Sequence, residues 1–264
     1  MKDILFISPN NARNIYQNLS TKYSAIEPPT WALLLSESCR SKGFSVAILD
    51  CLAENLSADE SYKRILEINP RIICFVVYGQ NVNAGTTNMS GATYLSSYLK
   101  EKNVVQPICF VGSHIQALPV ETLNKEKSID IGLCNEGVYS IWNLLKIRNF
   151  NFENLKKIKG IVFRSKNEIV VNEPEVVVPQ ERMDIDLPGY AWDLLPKHKK
   201  PLDLYRSPMW HAEYDEDKRS PYAAIQSSLG CQFKCDFCMI NIINRNDNDE
   251  IGVASNYSKM RFWS

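Results

Sequence analysis

The chain of 264 residues carries no net charge, since 30 Lys and Arg residues balance 30 Asp and Glu residues. This balance leaves no electrostatic footprint for nucleic acid or for an acidic membrane surface. No apolar run approaches the roughly 20 residues that cross a bilayer. The N-terminus places Asp3 before a short apolar run, whereas a signal peptide has a basic start and a longer apolar core. We therefore expect a cytoplasmic protein that binds neither nucleic acid nor membrane.

Two nucleotide-binding motifs are also absent. No G-x-G-x-x-G follows the first predicted strand, which argues against a dinucleotide cofactor. No Walker A sequence is present, which argues against a nucleoside triphosphatase.

The first 150 residues alternate short apolar runs with helical patterns. The runs are β-branched, aromatic and apolar on both faces, as in a covered parallel sheet. The predicted strands are Asp3–Ser8, Ser45–Leu49, Arg71–Val77, Pro107–Val111 and Ile129–Leu133. The predicted helices are Trp31–Lys42, Ala58–Ile68, Met89–Lys102 and Glu136–Ile147. The alternation predicts an α/β domain over residues 1–150, with a flavodoxin-like, doubly wound parallel sheet.

Ligands of such sheets bind beyond the carboxyl ends of the strands. The loops predicted there are polar, and three contain glycine, which lets the backbone approach a bound molecule. The candidate binding residues are Asn10, Tyr78, Gly79, Gln80, Gly112, Ser113, His114, Asn135, Glu136 and Gly137. Because any α/β domain has polar loops at this edge, the pattern alone leaves a cofactor site and an ordinary loop edge equally open.

Residues 151–220 differ in character and are predicted to connect two domains. Gly160–Arg164 and Glu168–Asn172, separated by a polar turn, predict a β-hairpin. Seven prolines then lie from Pro174 to Pro221, together with five aromatic residues. Since a disordered linker carries few aromatic residues, we expect an extended connector packed along the protein.

Three of the eight cysteines lie within eight residues of each other, after a strand predicted at Tyr222–Ser228. Cys231, Cys235 and Cys238 have the spacing C-x3-C-x2-C, which in a reducing compartment indicates metal or redox chemistry. A tetrahedral zinc site usually draws four ligands from two pairs. Three thiolates can instead hold three irons of a 4Fe–4S cube and leave the fourth open to a chelating molecule. The other five cysteines are expected to be small buried hydrophobes.

The cysteine spacing, with Phe237 before the last cysteine, resembles the cluster motif of the radical S-adenosylmethionine (radical SAM) superfamily. Cys231, Cys235 and Cys238 match that motif position by position. The resemblance implies a 4Fe–4S cluster that binds S-adenosylmethionine at its open iron and cleaves it to a 5′-deoxyadenosyl radical. It also implies an external electron donor of the flavodoxin or ferredoxin type, and a small-molecule substrate.

The N-terminal domain resembles the cobalamin-binding domain that precedes the barrel in one branch of this superfamily. The matching stretches are Glu27–Leu34, Gly112–Pro119 and Asn135–Gly137. The resemblance implies cobalamin over the strand ends, facing the barrel mouth. It implies methyl transfer to an unactivated carbon or a radical rearrangement, and it assigns no catalytic residue in this chain.

Two departures from the family pattern matter. The D-x-H-x-x-G signature of cobalamin mutases is absent, so we expect His114 to be a hydrogen-bonded loop residue in preference to a cobalt ligand. Only 26 residues follow Cys238, whereas a full (β/α)8 barrel takes about 250. We therefore expect residues 221–264 to begin a radical SAM barrel that is incomplete, and the chain alone to be inactive.

Two other interpretations stay open. In the first, the α/β domain is a corrinoid-binding module without catalysis. The loop that carries Cys231, Cys235 and Cys238, here called the cysteine loop, is then a remnant or a structural metal site. In the second, zinc or an iron–sulfur cluster stabilises a structural protein. Iron and sulfide in about equal amounts would exclude zinc.

Overall fold

The computed structural model describes most of the chain: residues 1–12, 17, 24–78, 82–166, 168–207, 221–231, 233, 235, 237, 238 and 260–264. Its centre is a seven-stranded sheet with the strand order β2-β1-β3-β4-β5-β6-β7. The strands are β1 (Lys2–Ser8), β2 (Val46–Asp50), β3 (Pro70–Val77), β4 (Ile108–Gly112), β5 (Ile131–Leu133), β6 (Ile161–Ser165) and β7 (Glu168–Val171).

The first five strands run parallel, in the order 2-1-3-4-5 that is typical of flavodoxin-like sheets. The predicted α/β fold with a mainly parallel sheet is therefore confirmed. The bounds of all five predicted strands differ from the observed ones by two residues or fewer. Strong apolar runs predict strands well because a parallel sheet buries both of its faces.

Helices cover both faces of the sheet. They are α1 (Thr30–Ser41), α2 (Ala58–Ile68), α3 (Met89–Glu101), α4 (Ser113–Ala117), α5 (Pro119–Lys125), α6 (Val138–Lys146), α7 (Phe152–Leu155) and α8 (Met183–Asp186). Helices α1 and α6 pack on one face, whereas α2 and α3 pack on the other. No helix in the described ranges combines the length and the apolar character needed to cross a bilayer.

The predicted helices all form, and four further short helices, α4, α5, α7 and α8, were not predicted. The capping box at the start of α2 is present, since the Glu60 N–H donates to Ser57 Oγ at 3.3 Å and the Ser57 N–H donates to Glu60 Oε2 at 2.8 Å. Helices α4 and α5 lie between β4 and β5, where the sequence analysis placed only the loop at Gly112–His114. They are too short to show helical periodicity in the sequence.

The hairpin predicted after residue 159 forms as β6 and β7. Strand β6 pairs antiparallel with β5, and β7 pairs antiparallel with β6. The hairpin, expected within the connecting region, thus extends the sheet of the first domain.

The connector packs closely, as predicted. Its residues Val178, Met183, Leu187 and Ala191 are buried in the core on the α1 and α6 side of the sheet. Near its described end, the fully buried Tyr205 donates a hydrogen bond from its hydroxyl to Asp50 Oδ2 at 2.9 Å.

The strand predicted at Tyr222–Ser228 is wrong for most of its length. Only Ser228–Leu229 form a strand, β8, and it pairs antiparallel with β9 (Arg261–Phe262). A (β/α) barrel would pair this strand in parallel. Because Ala223 and Ala224 offer small side chains to a neighbouring strand, the segment gains little from sheet packing.

Candidate functional site

The carboxyl ends of β3 and β4 approach each other closely at Gly112. Gly112 lies beside Val77 in the sheet register, and a Cβ added to Gly112 would stand 2.2 Å from the Val77 carbonyl oxygen. Since real Cβ atoms do not approach an oxygen so closely, any side chain here would push the two strand ends apart. Glycine at this position therefore preserves the sheet edge at which ligands of this fold bind.

Ser113 follows Gly112 and is fully buried. Its hydroxyl has no hydrogen-bond partner among the described residues. A 3₁₀ helix, Val82–Asn88, covers it so tightly that a Cβ on Gly85 would lie 2.1 Å from Ser113 Oγ. A buried polar atom left unpaired costs about 1–3 kcal/mol, which makes this hydroxyl a candidate contact for a ligand atom.

His114 lies beside the same 3₁₀ helix. Its Nδ1 is 3.3 Å from Thr86 Oγ1, and the side chain is half-buried. Burial lowers the pKa of His114, and the charge of Lys125 lowers it further. The imidazole is therefore neutral near pH 7, the form that donates or accepts a hydrogen bond and that can ligate a metal.

Tyr78 and Asn135 join the ends of β3 and β5. The Tyr78 hydroxyl donates to the Asn135 carbonyl oxygen at 3.4 Å, and burial raises the pKa of Tyr78. The Asn135 backbone N–H donates to Gln116 Oε1, and its side-chain amide donates to the Glu175 carbonyl oxygen. Asn135 Oδ1 is buried without a partner in the described part of the chain. Two unpaired polar atoms, Ser113 Oγ and Asn135 Oδ1, thus follow the adjacent strands β4 and β5.

Glu136 and Gly137 follow in the same loop. Both carboxylate oxygens of Glu136 accept hydrogen bonds from Arg261, and Oε2 also accepts one from the Val178 N–H at 2.9 Å. Gly137 precedes α6 with a φ of 77°, a left-handed conformation that favours glycine. The protein itself therefore occupies the polar atoms of Glu136.

Asn10 follows β1, and its side chain forms hydrogen bonds with two neighbouring residues. Its amide lies 3.4 Å from Asn55 Oδ1, and its Oδ1 accepts from the Ala12 N–H at 3.2 Å. The sequence analysis passed over its neighbour Asn11, which is buried and accepts a hydrogen bond from Ser90 Oγ at 2.9 Å. Of the remaining predicted binding residues, Gly79 and Gln80 lie outside the described residues.

The cysteine loop carries free thiols near the surface. Cys235 is exposed, whereas Cys231 and Cys238 are half-buried. The Cys238 N–H donates to the Cys235 carbonyl oxygen at 3.0 Å, which closes a turn between these two residues. In the described ranges, no three His, Cys, Asp or Glu side chains are grouped to hold a metal, so the three thiols are not assembled.

The donor set of this loop nevertheless fits a 4Fe–4S cluster with one open iron. Three thiolates close together in the sequence can ligate three of the four irons of such a cluster. Metal ligands and the loop that carries them often become ordered together when the metal binds.

Of the five other cysteines, four are core residues as predicted, whereas Cys134 is only half-buried. Cys39, Cys51, Cys74 and Cys109 are buried. Burial raises the pKa of the Cys51 thiol to about 12, which keeps it protonated and inert.

Two known proteins resemble this chain, one in its sequence and the other in its fold. No protein-family model matches the chain. The curated "Uncharacterized methyltransferase PH0819" of Pyrococcus horikoshii is 28% identical over 211 residues, which are 80% of this chain and 40% of that protein. The chain thus spans less than half the length of this relative.

Solved structures of the cobalamin-dependent S-adenosylmethionine radical enzyme OxsB share the fold. With aqua-cobalamin and S-adenosylmethionine bound, OxsB matches 90% of this chain and 28% of its own, with a TM-score of 0.61 and 16% identity. Apo OxsB matches 100% of this chain and 30% of its own, with a TM-score of 0.62 and 15% identity. These comparisons confirm, at the level of the fold, that the chain resembles the cobalamin-binding radical SAM enzymes.

Proposed function

We propose that this chain belongs to a cobalamin-dependent radical SAM enzyme, with a corrinoid at the carboxyl edge of the sheet and a 4Fe–4S cluster at the cysteine loop. The observation that carries the proposal is a coincidence of two independent features. The fold of the chain matches that of OxsB, and the same chain bears the C-x3-C-x2-C motif after the connector.

The residues proposed to face the corrinoid are those that follow β4 and β5. Ser113 Oγ and Asn135 Oδ1 are buried polar atoms that lack a partner among the described residues, and polar side groups of a corrinoid would supply one. Gly112 keeps side-chain atoms away from this edge. Because Gly85 covers Ser113, binding at Ser113 requires the 3₁₀ helix Val82–Asn88 to move.

The residues proposed to hold the cluster are Cys231, Cys235 and Cys238. When bound, such a cluster supplies the electron that breaks the carbon–sulfur bond of S-adenosylmethionine and leaves methionine and a 5′-deoxyadenosyl radical. The electron comes from an external donor of the flavodoxin or ferredoxin type. The exposure of Cys235 and Phe237 is consistent with a loop that a further part of the site would cover.

We further propose that the reaction is methyl transfer to an unactivated carbon of a small molecule. The name of the P. horikoshii relative, a methyltransferase, supports this choice over a radical rearrangement. The described residues offer no assigned acid, base or nucleophile for the reaction itself.

The proposal is tested by anaerobic reconstitution of the chain with iron, sulfide and hydroxocobalamin. We expect corrinoid absorption bands together with iron and sulfide at about four each per chain. Reduction in the presence of S-adenosylmethionine then shows whether 5′-deoxyadenosine forms, with Cys235→Ser as the matched control. A chain that binds neither cofactor would contradict the proposal.

The same experiment separates a second candidate, a corrinoid-binding module without catalysis. The candidate ligand contacts Ser113 Oγ and Asn135 Oδ1 favour this alternative, because both lie in the α/β domain and do not depend on the cysteine loop. A chain that retains corrinoid but gives the same iron content as Cys235→Ser would support the module and would exclude the radical SAM reaction for this chain.

A further inference from the structure

A buried ion pair joins the β5 loop to the end of the described chain. The Arg261 guanidinium binds Glu136 with both terminal nitrogens, and its Nη1 lies 3.1 Å from Glu136 Oε2. The two side chains are only 5% and 4% exposed. Such a two-pronged pair fixes the relative orientation of both groups as well as their distance. The carboxyl edge of the sheet is thereby held to β9, which lies 125 residues further along the chain.

Strand β9 is in turn paired with the segment that leads into the cysteine loop. Leu229 lies opposite Arg261 and Ser228 lies opposite Phe262 in the two-stranded sheet of β8 and β9. Leu229 precedes Cys231 by two residues. The chain of contacts therefore runs from Glu136 through Arg261 to Leu229 and on to the first thiol.

Further hydrogen bonds hold both short strands in place. The Phe262 N–H donates to Gln180 Oε1 at 2.9 Å, and Gln180 Nε2 donates back to the Phe262 carbonyl oxygen at 2.9 Å. Upstream of β8, the Gln226 N–H donates to the Tyr190 hydroxyl at 2.7 Å, and that hydroxyl donates to the Gln226 carbonyl oxygen at 2.9 Å. In the described part of the chain, Tyr190 thus ties the segment before Cys231 to the connector, Gln180 ties β9 to the connector, and Arg261 ties β9 to the loop at the sheet edge.

We propose that Glu136 and Arg261 are positioning residues that fix the start of the cysteine loop relative to the carboxyl edge of the sheet. The inference rests on the proposed function, since its consequence is a defined spacing between the cluster thiols and the corrinoid. In this role Glu136 acts through Arg261. The pair requires the planar guanidinium of arginine, which can bind both carboxylate oxygens at once. A lysine at position 261 would keep the charge but could not form this two-point contact.

The test is a distance measurement between two nitroxide labels by pulsed electron paramagnetic resonance. One label sits on the exposed Cys235 and the other on a cysteine introduced by Glu101→Cys at the exposed end of α3. Cys134, Cys231 and Cys238 are replaced by serine in every chain, whereas Cys39, Cys51, Cys74 and Cys109 are buried and stay unlabelled.

Arg261→Met is expected to widen the distance distribution by about twofold, because loss of the ion pair frees β8 and β9 from the sheet edge. Arg261→Lys is expected to restore part of the narrow distribution. The matched control is Arg40→Met, which breaks another pair between the connector and the sheet domain, with Asp193, and should leave the distribution unchanged.

An unchanged distribution in Arg261→Met would overturn the proposal, as would a parent distribution as broad as that of the variant. Should Arg261→Met fail to fold, Glu136→Gln replaces it, because the amide still accepts from the Val178 N–H while the charge pair is lost. The labelled chains carry no cofactor, so this result is independent of the proposed function. Failure to bind corrinoid and iron would refute that function and leave the positioning measurement valid.

Discussion

The carboxyl edge of the sheet and the cysteine loop hold their polar groups in different ways. At the sheet edge, Asn135 and Glu136 are buried and Tyr78 is half-buried, and all three are fixed by hydrogen bonds to residues distant in sequence. In the loop, Cys235 and Phe237 are exposed, and the thiols are not grouped for a metal. The fold therefore fixes the polar groups at the sheet edge, whereas it does not group the three thiols of the loop.

This difference follows from what each region buries. The strand ends belong to a core whose apolar side chains lie on both faces of the sheet. The close packing of this core therefore also fixes the loops that begin at the strand ends. Leu229 of β8, two residues before Cys231, is buried in that core, whereas Cys235 and Phe237 in the loop are exposed. Because the loop buries so little surface, we expect substitutions in it to destabilise the fold less than substitutions at the sheet edge.

The largest effect on stability is expected from Arg261→Met. Removing one partner of a buried ion pair leaves the Glu136 carboxylate uncompensated, which costs about 3–5 kcal/mol in the free energy of unfolding. Arg40→Met, which breaks a partly exposed pair, should cost less than about 1 kcal/mol. Urea unfolding measures both. Equal losses of unfolding free energy in the two variants would show that the buried Glu136–Arg261 pair stabilises the fold no more than the partly exposed Arg40–Asp193 pair.

A smaller effect is expected from crowding the strand ends with Gly112→Ala. The added Cβ would meet the Val77 carbonyl oxygen at 2.2 Å, and we expect a loss of about 1–3 kcal/mol as β3 and β4 separate. The counterpart in the loop is Phe237→Ala, which should change the free energy of unfolding by less than about 0.5 kcal/mol because the ring is exposed. A loop variant as unstable as the edge variant would break the comparison between the two regions.

A pH-dependent effect is expected at Asp50, at the carboxyl end of β2. Burial raises its pKa from 3.8 to about 6, and the Tyr205 hydroxyl and the Ala53 N–H bind its two oxygens. Between these two pH values the folded chain holds a proton that the unfolded chain has lost, so Asp50 makes the fold less stable as the pH rises.

The comparison is with Asp50→Asn, which removes the titration. From about pH 4 to pH 7, the free energy of unfolding of the parent should fall by about 2–3 kcal/mol relative to this variant. Chemical unfolding at several pH values measures the difference. A difference that stays constant with pH would contradict a raised pKa at Asp50.

Much of the fold was predictable because its signals are local. The five parallel strands follow from β-branched apolar runs, and the start of α2 follows from Ser57 and Glu60, three residues apart. The loops at Asn10 and at Asn135–Gly137 were also placed correctly, since each comes directly after such a run, whereas Gly112 ends β4 and Ser113 and His114 begin α4.

The parts that escaped prediction have no local signal. Helix α4 is five residues long and begins directly after Gly112, so no periodicity marks it. Arg261 gives no sign in sequence that its partner is Glu136, because the pair is formed by the fold. The segment Tyr222–Ser228 has a strand-like composition, but only its last residue joins a strand in this structure.

The most direct test of the account is a count of bound corrinoid and iron after anaerobic reconstitution. The chains to compare are the parent and a variant with Cys231, Cys235 and Cys238 all replaced by serine. The account predicts about one corrinoid and about four irons per parent chain, and in the variant an undiminished corrinoid content with iron at background. Equal iron in both chains, or no corrinoid in either, would contradict the claim that this chain carries two separate cofactor sites.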